Sequence, residues 1–300
     1  MGHPHEETVS SRGFSLIELL VACALLVVVG GAVAAMATPV RDALDRATLA
    51  SDLDIGRRLA VEMLAADLRG AGSDPAVAGG ALLLARVLPR VVPLPDLASS
   101  TFGLPATAVR VNRAPPFGAQ GVLAMPAAAG AVALQLETTT RCAGGPPACS
   151  FTPGMTVVVY DGAASHVASV GTVGTALVVL DTPLTTAFAA GAVVTELERV
   201  TYGLRVDPDG SARLVRLTGG GAEQPLLDHV VEFRVEPDTA DLWHLRRVDL
   251  RVRLEAGPAA FRGPAGYLFR RGATAVSARR WVPDVEIRFG VALRNPPGAI

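Results

Sequence analysis

The sequence predicts an α+β protein: one long N-terminal helix followed by a β-rich antiparallel head. Three observations carry this. Phe14–Ala37 is an apolar stretch with a single charged residue, Glu18. Arg41–Arg69 continues it with apolar residues at three- and four-residue spacing. After Gly72 the pattern becomes short alternating runs separated by Gly, Pro and Asp, which is the signature of strands and turns.

At 1.5 Å per residue, Phe14–Ala37 makes roughly 36 Å of helix, enough to cross a bilayer core of about 30 Å with some tilt. Glu18 then needs a purpose. A carboxylate at the centre of an apolar span costs about 2.5–3.5 kcal/mol on insertion scales, and less near one end, where Glu18 lies. A cut between Gly13 and Phe14 would create an α-ammonium one helical turn before Glu18. Such a group neutralises a carboxylate in its own chain or in a neighbouring helix. Gly30-Gly31 and Pro39 weaken the helix locally, which a membrane helix tolerates. The same glycines also suit close helix packing.

In Arg41–Arg69 the stripe is Leu49, Leu53, Ala60, Leu64 and Leu68. Asp42 with Arg46, and Asp54 with Arg58, are i,i+4 pairs with the acid on the favourable side. Gly70, Gly72 and Ser73-Asp74-Pro75 end the helix. Leu82–Leu94 is apolar but holds Pro89 and Pro93, which argues against a central strand. Strands are expected at Thr107–Asn112, Val132–Thr138, Met155–Tyr160, His166–Val173, Ala176–Leu180 and Val193–Val206. More follow at Ala212–Leu217, Val230–Val235, Leu245–Leu254 and Val285–Leu293, the last closing the sheet. Asp207-Pro208-Asp209-Gly210 joins two of these as a hairpin turn.

The chain has 300 residues, 50% hydrophobic and 18% charged, with a formal net charge of −1. That balance gives no broad basic surface for nucleic acid. Aromatics at 5% argue against stacking platforms for single strands. Catalytic and cofactor patterns are missing. His166, His229 and His244 are scattered, no serine sits in a Gly-x-Ser-x-Gly elbow, and no glycine loop opens a helix to cradle phosphate. Asp207, Asp209 and Ser211 resemble the start of a calcium loop, but Thr218 stands where the closing glutamate belongs. The paired arginines 246–247, 270–271 and 279–280 read as solvated surface. No enzyme, cofactor or metal site is therefore expected. Cys23 reads as a small hydrophobe in the span. Cys142 and Cys149 form a small-loop disulfide if the head is exported to an oxidising compartment.

Gly13-Phe14-Ser15-Leu16-Ile17-Glu18 followed by an apolar run resembles the cleavage and methylation motif of type IV prepilins, shared with the pseudopilins of type II secretion. The resemblance implies residues 1–13 as a leader removed by prepilin peptidase, which cuts after Gly13 and N-methylates Phe14. It implies Glu18 as the assembly carboxylate. Residues 14–37 would be the transmembrane and assembly helix, 38–71 its amphipathic half, and 72–300 a periplasmic head: the pilin lollipop. Prepilin leaders are often basic, whereas this one carries Glu6, Glu7 and a single Arg12. Glu62–Gly72 resembles the helix end of the larger minor pilins related to PilW and of the J-type pseudopilins, and Val200–Leu204, Leu214–Arg216, Gln224–Val230 and Arg288–Asn295 resemble the PilW-like subgroup. The implied partners are prepilin peptidase, other pilin or pseudopilin subunits, the inner-membrane assembly machinery and the lipid bilayer. The alternatives are a J-type pseudopilin, a membrane-anchored periplasmic binding protein for adhesion or DNA uptake, and an unprocessed signal anchor.

Overall fold

The computed structural model describes residues 15–73, 84–94, 108–115, 117–137, 148, 150–219, 221, 223–258, 261, 282 and 284–293. Gly13, Phe14, Cys142 and Cys149 lie outside these. The chain divides into two compact units, residues 1–51 and 52–300. Helix α1 is Leu16–Arg69, so the first unit holds its apolar part and the second its last turns.

In the first unit the helix leaves its side chains in the open. Leu16, Leu26 and Val27 are more than 70% exposed, and Leu44 is exposed as well. Pro39 sits inside the helix without ending it. Arg46 does not pair with the Asp42 carboxylate, because its Nε donates to the Asp42 main-chain carbonyl at 2.7 Å.

In the second unit the same helix becomes half-buried. Asp54 takes Arg57 at 2.6 Å and Arg58 at 2.8 Å. Ala60, Leu64 and Leu68 recur on one stripe and are buried. Each fully buried leucine contributes about 2 kcal/mol. The stripe enters a core shared with two sheets. Gly70 N–H still donates to Ala66 O, and then Gly72 turns the chain with φ +68°. A Cβ on Gly72 would stand 2.3 Å from Arg90 Cγ. Only glycine therefore meets both the left-handed backbone and the close approach of Arg90.

Every pair of described strands in the head is antiparallel. After α2 (Leu84–Val87) come β1 (Val91–Leu94), β2 (Ala108–Arg113), β3 (Gln120–Val122), β4 (Ala133–Gln135), β5 (Thr156–Tyr160), β6 (Ser165–Val173) and β7 (Leu177–Leu180). Then follow β8 (Val193–Glu196), β9 (Glu198–Val206), β10 (Ala212–Thr218), β11 (Glu223–Leu227), β12 (Val230–Pro237), β13 (Arg247–Leu254) and β14 (Val285–Ala292). A five-stranded sheet runs β1-β2-β9-β10-β11, and a three-stranded sheet runs β12-β13-β14. Val109, Val111, Tyr202, Leu204 and Leu214 of the first share a core with Phe233, Leu250 and Val252 of the second and with the buried stripe of α1. The prolines mark an edge as expected: β1, with Pro93, flanks its sheet.

The β9–β10 hairpin is tied by its own turn. Asp207 N–H donates to Ser211 O at 2.7 Å, and Gly210 takes φ +82°. Arg213 reaches the Asp207 carboxylate at 2.6 Å, and Ser211 bonds Asp209, so these oxygens serve the turn.

One feature departs from the single sheet that the strand pattern predicts. The remaining strands run β3-β8-β5-β6-β7-β4, and the two ends meet. Leu123 bridges Leu136, Ala124 N–H donates to Gln135 O at 2.9 Å, and Glu137 N–H donates to Val122 O at 2.8 Å. The six strands thus close into a small barrel filled by Leu123, Leu134, Val157, Val159, Val170, Val178 and Phe188. The barrel is an insertion between two paired strands. Arg113 and Glu198 form the last pair of β2 and β9, and the chain departs at Ala114 and returns at Leu197. The stretch Val193–Val206, expected as one strand, therefore breaks at Leu197. Its N–H donates to Thr156 O and its side chain is buried with Leu84, Val158 and Tyr160.

Candidate functional site

The site begins where α1 begins. Ser15 and Glu18 bond each other reciprocally: Ser15 N–H donates to Glu18 Oε2 at 2.9 Å, and Glu18 N–H donates to Ser15 Oγ at 3.2 Å. This is a capping box, which satisfies two of the main-chain donors that a helix start leaves open. It also holds the carboxylate against the positive end of the helix dipole. The signal for this cap, Ser15-x-x-Glu18 ahead of an apolar run, stands in the sequence beside the processing motif that overlaps it. Glu18 thus serves its own helix, and its Oε1 takes no bond among the described residues.

Behind Glu18 the exposed apolar helix offers one kind of chemistry, which is burial. It is the one helix among the described residues long and apolar enough to cross a bilayer. Cys23 lies exposed on it.

Residues 9–34 match the prokaryotic N-terminal methylation motif. No curated protein matches the chain. The match spans the Gly13–Phe14 junction, Ser15 and Glu18 together with most of the apolar stretch. Followed by a long helix and an antiparallel β-rich head, it supports a type IV pilin-like or pseudopilin-like subunit. The motif implies processing by prepilin peptidase and assembly with other pilins, and the apolar helix is consistent with anchoring in a membrane.

Among the described residues of the head, a concentrated set of perturbed charges lies at the C-terminal end of α1. Asp67 is buried on the same stripe as Ala60 and Leu64. It accepts from Arg113 Nη1 at 2.7 Å, Arg216 Nε at 2.8 Å and Tyr202 Oη at 2.5 Å. Glu198 completes the set, 2.8 Å from Arg113 Nε and 3.6 Å from Arg216 Nη2. Burial alone would raise the Asp67 carboxyl. The hydrogen bonds from Arg216 and Tyr202 and the two arginine charges overcome it and hold the group below the usual carboxylate range. Burial and the neighbouring Asp67 push the Tyr202 phenol up. Burial would lower Arg113 and Arg216, but their acid partners hold both above the ordinary value. Two acids face two arginines, so the set is neutral and its groups are taken. It ties the helix end to β2, β9 and β10.

The histidines stay apart. His244 pairs with Asp241 at 2.6 Å in an exposed loop, His229 turns the chain with φ 54°, and His166 lies buried beside Thr185 at 3.2 Å. A groove of about 360 Å³ crosses the outer face of the β12-β13-β14 sheet, lined by Glu236, Arg247, Asp249, Arg251 and Arg288. Arg247 and Asp249 in it already pair at 2.7 Å.

Proposed function

We propose that the chain is a minor pilin-like subunit of a type IV pilus, cut after Gly13, N-methylated on Phe14, and held in the inner membrane with a periplasmic head. Its role is assembly rather than catalysis. The observation that carries this is the methylation motif at residues 9–34 placed directly on an exposed apolar helix. Leaving lipid, such helices bury their apolar surface against one another. Glu18 would be neutralised by the N-terminal ammonium of a neighbouring subunit, which penalises a wrong register. The pilus subgroup, rather than the secretion pseudopilus, is favoured by the sequence resemblance of Val200–Leu204, Gln224–Val230 and Arg288–Asn295 to PilW-like minor pilins.

Mass spectrometry of the mature chain tests the processing step. The expected N-terminus is Phe14 carrying one added methyl group. A mature chain that keeps Met1–Arg12 overturns the reading. A second measurement addresses Glu18. Glu18→Val should leave the subunit at normal levels in the membrane and block its incorporation into filaments. Unchanged incorporation would show that Glu18 has no part in assembly. Deleting the gene separates the systems, because loss of pili with intact secretion is the expected outcome.

A further inference from the structure

The head guards all its described strand edges but one. The barrel has none, since β3 meets β4. In the five-stranded sheet both edge strands carry a proline, Pro93 in β1 and Pro225 in β11. Proline lacks an N–H and blocks further pairing. In the three-stranded sheet, β12 is bulged between Val230 and Glu232, ends at Pro237 and lies against β10, β2 and β9. The exception is β14. It pairs with β13 in unbroken register from Val285 to Ala292, has no proline or bulge, and no described strand pairs with its outer edge.

Charges on an edge normally keep other strands away. Those on β14 are arranged differently. Glu286 and Arg288 are two residues apart on the outer face, with Ile287 buried between them. Two β14 strands running antiparallel about a two-fold axis at Ile287 would place Glu286 of each copy opposite Arg288 of the other. Val285 of each copy would stand opposite Phe289 of the other, and these half-buried side chains flank the core at the open edge. The sheet supplies a further reason. Arg234, Arg251 and Arg288 are direct cross-strand partners, three like charges in one row. Like charges so placed are destabilising; Glu232 beside Arg234, and Glu286 beside Arg288 and Arg251, offset part of this and leave the row one positive charge in excess. The neighbouring row is Glu232, Arg253 and Glu286. In the paired arrangement the arginine row would run into Glu286 of the second copy, and the glutamate row into its Arg288.

We propose that β14 is a self-association edge, through which two heads of this chain join their three-stranded sheets into one six-stranded antiparallel sheet. The contact is isologous, so it closes at two copies. It uses a surface of the second unit alone and does not depend on the processing proposed for Phe14.

Full-length protein in detergent micelles tests it by sedimentation and by hydrogen exchange over a dilution series. The expected result is a dimer whose β14 amides lose protection as the protein is diluted. Glu286→Arg sets arginine against Arg288 at two symmetric places and should weaken association by about 10-fold or more. Arg288→Glu should do the same with glutamates. The double reversal Glu286→Arg/Arg288→Glu restores opposite charges and should recover dimerisation. Three results overturn the proposal: a wild-type monomer at all concentrations, a dimer indifferent to both single reversals, or β14 amides equally protected at every dilution. The last would mean that the chain covers its own edge. Because the exchange experiment uses the wild type, the proposal stays testable even if a reversed variant does not fold.

Discussion

Replacing Asp67 by Asn removes one charge from a buried neutral set and leaves every other atom near its place. Asp67 accepts three donors, and both arginines in the set point at it. Asn keeps one oxygen but presents an NH₂ group to donors. The set then holds two arginines and one carboxylate, Glu198. Breaking a buried ion pair by removing one partner costs about 3–5 kcal/mol. Glu198 still holds Arg113 at 2.8 Å and stands 3.6 Å from Arg216, so the lower end applies, about 3 kcal/mol. For a unit the size of this head, that corresponds to a fall in Tm of roughly 6–12 °C. Thermal unfolding followed by near-ultraviolet circular dichroism, with the full chain in detergent at neutral pH, measures it. A fall of less than about 2 °C would show that the set contributes little and that apolar packing alone holds the helix end.

The same residue gives the prediction a pH signature. The folded-state pKa of Asp67 is depressed, so its contribution is complete well above the unfolded value of about 3.9 and is lost as pH falls through the lower folded value. The gap between wild type and Asp67→Asn should therefore be widest near neutrality and should narrow in strong acid. An equal gap at both would refute the electrostatic account and leave only a packing defect.

Two other substitutions examine how the head is built. Gly72→Ala adds a Cβ 2.3 Å from Arg90 Cγ at a residue with φ +68°, so it combines left-handed strain of about 1–2 kcal/mol with a clash against a buried side chain; a loss of at least about 2 kcal/mol in denaturant unfolding is expected, and a neutral result would mean that Arg90 can move aside. Excising residues 114–197 and joining Arg113 to Glu198 through Asn-Gly should leave a folded head, because those residues are already paired partners. The trimmed chain exposes Leu84 and should lose about 2 kcal/mol there. Failure of its β-sheet circular dichroism signal to survive would show that the barrel is part of the folding core.

What could be read in the sequence was local. The apolar run with one charge gives α1 because helix propensity, length and hydropathy all act within one stretch. Clean alternation gives β13 and β14 for the same reason, and Asp207–Gly210 gives its hairpin. The barrel was hidden because its strands are individually ordinary. What makes it a barrel is the pairing of Leu123 with Leu136 after a circuit through five other strands, and no local period records that. The break at Leu197 is equally silent, since a buried leucine suits a strand and a corner alike. Asp67 was hidden by distance, with donors 46, 135 and 149 residues away. A faint signal was present, because Asp67 falls on the apolar stripe of Ala60, Leu64 and Leu68, where an acid is tolerated only if charged or hydrogen-bonded partners meet it.

The cap at Ser15 and Glu18 bears on what the motif at the chain's start would do in assembly. If Glu18 were a bare carboxylate in an apolar helix, neutralisation by a neighbour would be its first satisfaction. It is instead already held by Ser15, with one oxygen accepting the Ser15 N–H. On the proposed role, a neighbour's ammonium would gain only what exceeds the cap, worth about 1 kcal/mol, or would share the carboxylate through Oε1, which takes no bond among the described residues. The second arrangement keeps the helix start intact while adding a charge-assisted bond, so it is the lower-energy one. On the proposed assembly role the carboxylate would work at both levels: it fixes where the helix begins and would offer a neighbouring chain its second oxygen.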